Sequence, residues 1–206
     1  MKNSLFVYLA IMLIISSKII GQNIVDYDGN SYYTITIGTQ TWMKENLRVT
    51  HFRNGEKIQN IISNSDWLNQ KTIKTAAYCD YNNNPANSKE YGRLYNWYAV
   101  DDTREICPKG WHVPSSEEIL VLINYFGGNE LAAEKLIQLG FHNQPGVGRS
   151  YFREGDFINI GLSWWTSSMV NELSAYQWGF SKDKTTLDSG SSWPMYSGFC
   201  IRCLKD

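Results

Sequence analysis

The strongest constraint on the fold of this chain is a helix start within residues 107–128, CPKGWHVPSSEEILVLINYFGG. Ser115 and Glu118 have the spacing of a capping box, in which each side chain hydrogen-bonds the backbone N–H of the other residue. Apolar residues then recur at helical spacing, at Ile119, Leu122, Ile123 and Phe126. The glycine pair at 127–128 is a typical helix end. The segment therefore predicts a helix of about three turns that begins at Ser116.

The pattern around this helix predicts one α+β domain. A second, shorter helix is expected from Glu130 to Leu139, before Gly140. Short strand-like runs, separated by turn residues, lie before and after the two helices. Strands, then helices, then strands are typical of an α+β domain rather than a βαβ array. Residues 53–75 and 80–90 are polar and are predicted to be loops, the first with one helical turn near its middle.

The N-terminus predicts export. Lys2 precedes an apolar run from Leu5 to Ile15, and the small residue Gly21 follows at a suitable distance. This is the pattern of a secretory signal peptide, which we assign to residues 1–21, leaving a mature domain of residues 22–206. The run is shorter than the about 20 apolar residues of a membrane-spanning helix. We expect a secreted, cell-surface or periplasmic protein without a membrane span after signal removal; an uncleaved anchor is the alternative.

The charge of the mature chain argues against nucleic acid as a partner. The whole chain has 19 Lys and Arg and 20 Asp and Glu residues, and two of the lysines lie in the predicted signal. The mature chain is thus slightly acidic. Binding to nucleic acid depends on basic side chains that neutralise phosphates, and the sequence has no basic block that could do so.

His112 stands beside Trp111 just before the capped helix, where it could act as a metal ligand or a general base. A metal site needs companion ligands, but His51 and His142 have no ligand-type spacing with it. A base needs a nucleophile, and no G-x-S-x-G or comparable motif is present. We therefore predict no catalytic residue, and we expect His112 to hydrogen-bond the backbone around the helix start.

The four cysteines are expected to form disulfides, because an even number in an exported chain favours crosslinks. Cys200 and Cys203 spell C-x-x-C in a strand-like segment, where the two side chains point to opposite faces and cannot easily bond each other. We favour a bridge between Cys107 and Cys203. Cys79 and Cys200 are the remaining candidate pair, although the sequence alone leaves the pairing open.

Two features are candidate binding sites. In the loop DYNNNPANSKE, Asp80, Asn82 and Asn84 are weak candidates for a calcium site, although Pro85 and Tyr91 exclude an EF-hand. No other cofactor is predicted, and an Asn-rich turn is the alternative.

Aromatic side chains could form a platform that stacks on sugar rings, and the candidates are Tyr95, Trp97, Trp164 and Trp165. A core position is the alternative for each of these aromatic residues.

Several motifs together resemble the Fibrobacter succinogenes major paralogous domain, a family typical of exported and surface proteins. They are DGNSYYTITIGTQTWMKENLRV, YGRLYNWYAV, CPKGWHVPSSEE, SWWTSS and GFCIRC, in this order from about residue 24 to 205. The pattern is also similar to the C-type-lectin-like fold and to the formylglycine-generating group of enzymes. The resemblance implies a compact lectin-like domain with two central helices, short antiparallel sheets and chain ends that meet in one sheet. The bridge between Cys107 and Cys203 fits this resemblance.

The resemblance has departures that limit what it implies. The sugar-site tripeptides of lectins and the catalytic-cysteine setting of the formylglycine-generating enzymes are both absent. We therefore expect an exported, non-catalytic binding module for a glycan or a cell-surface protein, or a purely structural surface component. An enzyme related to the formylglycine-generating group is the alternative, and it would need a reactive thiol.

Overall fold

Short strands carry most of the regular structure. The computed structural model describes residues 23–141, 147–150, 155–159, 161–181, 183 and 185–206. The strands are β1 (Ile24–Val25), β2 (Ser31–Tyr32), β3 (Thr34–Ile37), β4 (Gln40–Met43), β5 (Gln59–Asn60), β6 (Ala77–Cys79), β7 (Leu94–Tyr95), β8 (Trp111–His112), β9 (Gly148–Arg149), β10 (Phe157–Ile158), β11 (Ser163–Asn171), β12 (Ser174–Phe180), β13 (Leu187–Asp188), β14 (Ser192–Pro194) and β15 (Leu204–Lys205). The α-helices are α1 (Asn64–Leu68), α2 (Gln70–Ile73), α3 (Ser88–Tyr91), α4 (Ser116–Phe126) and α5 (Asn129–Gln138).

This mixture of helices and several small sheets confirms the predicted combination of α and β structure. The predicted signal peptide at residues 1–21 and the candidate ligand His142 lie outside the described residues. In the part of the chain that is described, no helix has the length and apolar character needed to cross a bilayer.

Helix α4 begins where the capping box places it. The Ser115 hydroxyl accepts a hydrogen bond from the Glu118 N–H at 3.2 Å, and the Glu118 carboxylate accepts one from the Ser115 N–H at 2.8 Å. The helix ends at Gly127, whose φ of 91° is a left-handed conformation that favours glycine. Helix α5 follows directly and buries Ala132, Ala133 and Leu136. Both helices predicted from the sequence are therefore present.

A four-stranded sheet joins distant parts of the chain in the order β3-β4-β15-β8. Leu204 of β15 pairs antiparallel with Trp42 of β4 on one side and with His112 of β8 on the other. The predicted disulfide between Cys107 and Cys203 is confirmed and lies beside this sheet. The sheet and the crosslink together hold the entrance of α4 against the last strand.

A second sheet supplies the tryptophan core. Strand β12 pairs with β11, β13 and β14. Trp164 and Trp178 face each other across β11 and β12 with ring centroids 4.6 Å apart, and Trp42 lies 5.6 Å from Trp178. The buried sides of α4 and α5 pack on this cluster. A second apolar cluster contains the disulfide and residues such as Trp97 and Trp165.

The two segments predicted to be loops contain more structure than expected. Residues 53–75 include β5, α1 and α2, and β5 pairs with β6 in parallel, so the sheets are not all antiparallel. Residues 80–90 contain two 3-10 turns and most of α3. Helix α1 is too short for apolar periodicity to reveal it. It is held by burial of Trp67 and by the Ser63 hydroxyl, which accepts a hydrogen bond from the Asp66 N–H.

Buried arginines fix segments that lack long strands. The Arg149 guanidinium donates to the carbonyls of Ile61, Ile62 and Gly155 and stacks over the Trp67 ring. Arg149 has no exposed surface. Because buried carbonyls need donors, one planar side chain with several N–H groups can replace a strand partner for three of them.

Candidate ligand-binding cleft

The aromatic platform predicted from the sequence is wrong, because its four members lie in the core. Trp97 is 2% exposed, and Tyr95, Trp164 and Trp165 have no exposed surface. Their polar atoms all have internal partners: Trp97 donates to the Thr166 carbonyl, Trp164 to the Asn46 side chain, Trp165 to the Tyr95 carbonyl and Tyr95 to the Val49 carbonyl. Trp164 and Trp165 are adjacent in β11, so their side chains point to opposite faces of the strand. Both are buried because β11 lies between the two apolar clusters.

The loop proposed for calcium is organised around an ion pair. The buried Asp80 carboxylate lies 3.1 Å from Arg93 Nε. Burial raises the pKa of Asp80, and Arg93 partly counteracts this effect. Asn84 caps the following 3-10 turn by accepting from the Ala86 N–H, and Asn82 has a left-handed backbone with φ of 54°. The only charged ligand of the candidate site is thus already engaged, and no cluster of three or more His, Cys, Asp or Glu in the described residues could hold a metal ion.

The remaining cysteines are not arranged for chemistry. Cys79 and Cys200 are free and buried, so the second candidate bridge is not formed. Burial raises the pKa of each thiol to about 12. Both are therefore protonated at neutral pH, and a protonated thiol is a poor nucleophile. The reactive thiol that a formylglycine-generating type of enzyme would need is not found in the described chain.

His112 has both ring nitrogens engaged. Its Nδ1 lies 2.7 Å from Asp206 Oδ1, and its Nε2 lies 2.9 Å from Glu118 Oε1. Partial burial lowers the pKa of the imidazole, but the hydrogen bonds to Asp206 and Glu118 outweigh it and the net pKa is raised. The expectation of backbone partners is wrong, because the partners are carboxylates. The structural role stands, since the imidazole links the capping box of α4 to Asp206, which directly follows β15.

A different histidine faces solvent from an oriented position. His51 Nδ1 lies 2.5 Å from Asp28 Oδ1, and the other Asp28 oxygen accepts from the Thr50 hydroxyl at 2.8 Å and from the Thr50 N–H. Burial acts to raise the pKa of Asp28, but the hydrogen bonds from Thr50 and His51 outweigh it and the pKa is lowered. Asp28 and Thr50 thus engage Nδ1 and orient the ring, which leaves Nε2 as the available nitrogen. No described residue hydrogen-bonds to Nε2.

Tyr27 forms an exposed aromatic wall beside this histidine. Its ring is 59% exposed, and its centroid lies 5.5 Å from that of His51. The β1–β2 turn presents Tyr27 and Asp28 together, with Gly29 at φ of 82°. Gly55, in the turn opposite, allows the close approach, because a Cβ atom there would lie 2.4 Å from the Tyr27 hydroxyl oxygen. Two glycine-containing turns thus bring the aromatic ring and the imidazole together.

Beside these residues lies an open cleft of about 220 Å³, lined by Val25, Tyr27, His51, Ile106, Pro108 and Lys109 among others. Its volume suits a single sugar ring or a similar small group. A larger cleft of about 310 Å³, beside α1 and α2, is lined mainly by amide and aliphatic side chains and has no imidazole or ammonium group. The smaller cleft therefore offers more kinds of ligand-binding group, since its lining includes an aromatic ring, an imidazole and an ammonium group.

Two crosslinks hold the walls of this cleft in place. The Arg53 guanidinium donates to the carbonyls of Cys107, Pro108 and Trp111 and pairs with Glu105. It thereby attaches the turn after His51 to the loop that carries Lys109. The disulfide of Cys107 fixes the same loop to the last strand. A cleft with walls fixed in this way loses little conformational entropy when a ligand binds.

Sequence reasoning missed this site because its residues come from three separated segments. Tyr27 and Asp28 lie in one turn, His51 lies before another, and Lys109 lies in the segment before α4. The available signal was the pair of turn sequences Asp28-Gly29 and Asn54-Gly55, each next to a residue with a functional side chain.

Comparison with known protein families gives a match over most of the chain. The Fibrobacter succinogenes major domain matches residues 35–205 and covers most of the chain, including His51 and Lys109 but not Tyr27 and Asp28. No curated protein and no solved structure matches the chain.

Proposed function

The chain belongs to the Fibrobacter succinogenes major domain family, and we propose that it is an exported, non-catalytic binding module that accepts a sugar residue in the cleft beside Tyr27 and His51. The observation that carries this proposal is His51 Nε2, an oriented nitrogen without a partner among the described residues, next to an exposed aromatic ring. Sugars present apolar ring faces and hydroxyl groups, and this pairing of an aromatic face with a hydrogen-bonding nitrogen complements both.

A binding role suits the site better than catalysis. Nucleophilic catalysis assisted by an imidazole needs a hydroxyl or thiol within hydrogen-bond reach of its free nitrogen. The Thr50 hydroxyl lies 3.0 Å from Nδ1, on the side of Asp28, and no hydroxyl or thiol of the described chain hydrogen-bonds to Nε2. The arrangement can therefore orient a ligand hydroxyl, and the described residues supply no side-chain nucleophile for His51 to activate.

Two features support the finer parts of the proposal. Disulfides persist in oxidising compartments, so the bridge between Cys107 and Cys203 supports export. The tie between the α4 entrance and the last strand, and the position of β15 between β4 and β8, support a C-type-lectin-like arrangement. In that arrangement the rigid scaffold positions loops that meet the ligand, and the ligand class is argued from the cleft and not from the fold.

Two-dimensional ¹H–¹⁵N NMR titration with a panel of monosaccharides tests this function. We expect millimolar binding, with shifts concentrated at residues around Tyr27, His51 and Lys109. Tyr27→Ala should weaken binding by about 2- to 10-fold through loss of the ring face. Tyr33→Ala is the matched control, because Tyr33 is 60% exposed outside the cleft lining and should leave the affinity unchanged.

Absence of shifts in the cleft at high millimolar sugar would contradict the proposal and favour a purely structural role. Equal losses of affinity in the two tyrosine variants would place the binding surface elsewhere.

A further inference from the structure

The charged side chains around the cleft differ in how many internal hydrogen bonds and ion pairs they form. Both oxygens of the buried Asp26 accept hydrogen bonds, from the Asn30 backbone and side chain and from the Tyr32 hydroxyl. The Asp28 carboxylate is engaged by Thr50 and His51. Each carboxylate that borders the cleft thus has its oxygens held by internal donors.

The two cations of the cleft differ from each other. Arg53 is engaged by Glu105 and by three backbone carbonyls. Lys109 is exposed, and among the described residues it has no ion pair and no hydrogen bond. It lines the cleft together with His51 and Tyr27. The cleft therefore combines a ring-stacking face, an imidazole nitrogen and an ammonium group that has no counter-ion among the described residues.

From this combination we propose that the preferred ligand is an acidic sugar, a uronate or a chain end that carries one, whose carboxylate pairs with the Lys109 ammonium. The inference rests on the proposed function, since it names the class of sugar that the same cleft takes. Tyr27 would contact the ring face, His51 Nε2 would hydrogen-bond a ring hydroxyl, and Lys109 would select the charge. A lysine is a flexible point charge, so it suits a carboxylate at the edge of an open cleft.

Matched sugar pairs separate the acid from the ring. Galacturonate and galactose differ only at carbon 6, as do glucuronate and glucose, so each pair isolates the carboxylate. We expect each uronate to bind about fivefold more tightly than its neutral partner in low salt, because the carboxylate forms one partly exposed, charge-assisted contact. The ratio should fall as sodium chloride is added, since salt screens exposed charges.

Variants of Lys109 provide the decisive comparison. Lys109→Gln should bring the ratio of uronate to neutral affinity close to one, Lys109→Arg should retain most of the preference, and binding of the neutral sugars should change little in either. Lys71→Gln is the matched control, because Lys71 is an exposed lysine on α2 outside the cleft lining. NMR titration measures the affinities, and the melting temperature of each variant shows that the fold is retained.

The outcomes separate the two proposals. Equal binding of uronates and neutral sugars would overturn the inference and leave the sugar-binding function intact. A uronate preference that persists in Lys109→Gln would overturn the role of Lys109. Binding of neither class would overturn the proposed function and the inference together.

Discussion

His112 and His51 have contrasting surroundings within the same domain. His112 has a carboxylate at each ring nitrogen, whereas His51 has a carboxylate at Nδ1 and, in the part of the chain that is described, no partner at Nε2. The first arrangement uses the whole imidazole to link a helix start to a strand. The second leaves one nitrogen available to solvent in a cleft. The functional capacity of a histidine therefore depends on how many of its hydrogen bonds the fold already supplies.

The contrast also shows that the histidine in the most strongly patterned segment of the sequence is not the one with an available ring nitrogen in the structure. His112 lies in the most strongly patterned segment of the chain, next to a capping box, and it is structural for that reason: Glu118 serves the helix cap and the imidazole together. His51 lies in a segment with little regular structure. Its surroundings are assembled by turns, and turns leave polar groups unsatisfied more readily than helices do.

The largest effect is expected from the disulfide between Cys107 and Cys203, which borders both histidine sites. Cys107 lines the cleft of His51 and also a different cleft that His112 lines. Replacing Cys107 and Cys203 together with serine should lower the free energy of unfolding by about 2–5 kcal/mol. Urea unfolding followed by tryptophan fluorescence measures this loss. Cys200→Ala removes a buried thiol without a crosslink and should cost less. An equal loss in the two variants would show that the bridge does not support the frame.

An intermediate effect is expected from exchanging each histidine for glutamine. His112→Gln should lower stability by about 1 kcal/mol near pH 6, a value reduced for partial exposure, with no effect on sugar binding. Because the folded pKa of His112 is raised, its stabilisation is complete below the unfolded value of about 6.5 and is lost as pH rises through the folded value. The difference between His112→Gln and the wild type should therefore shrink at alkaline pH.

His51→Gln should show the opposite pattern, with weaker sugar binding and nearly unchanged stability. Urea unfolding between pH 5 and 9, paired with NMR titration of both variants, measures the two properties. If His51→Gln lost stability and not affinity, the distinction between the two histidines would not hold.

The smallest effect is expected from the carboxylates that orient each ring. Asp28→Asn retains an oxygen near His51 Nδ1 but removes the charge, so sugar affinity should fall by about twofold to fivefold. Stability at neutral pH should also fall slightly, because the lowered pKa of Asp28 means that its ionised form favours the folded state. Glu118→Gln should instead cost about 0.5 kcal/mol of stability, since glutamine still completes the capping box but lacks the charge that faces His112. Loss of affinity in Glu118→Gln would indicate that the two regions are coupled.

The parts of the fold that could be predicted are those defined by residues that are contiguous in the sequence. The capping box, the apolar repeat and the glycine stop define α4 within one segment, and the segment around Cys107 belongs to motifs that resemble the family. The predicted bridge between Cys107 and Cys203 is also present. Cys200 and Cys203 lie close together in sequence, but only Cys203 is directed towards Cys107.

The parts that could not be predicted depend on packing between distant segments. Nothing in the SWWTSS motif shows that β11 is covered on both faces, so the burial of Trp164 and Trp165 follows only from the arrangement of the two clusters. The short helix α1 depends on Trp67 and Arg149, which lie far apart in the chain. The cleft has the same character, because Asp28, His51 and Lys109 become neighbours through turns and crosslinks.

The position of β15 has a consequence for the order of events during synthesis. Leu204 and Lys205 fill the middle of a sheet whose other strands are made much earlier, and β4 and β8 have no direct pairing that could replace them. A growing chain therefore cannot close this sheet on the ribosome before residue 205 has emerged. We expect this sheet to stay incomplete until residues 204–205 are available for pairing, so that its closure is a late step in the folding of the domain.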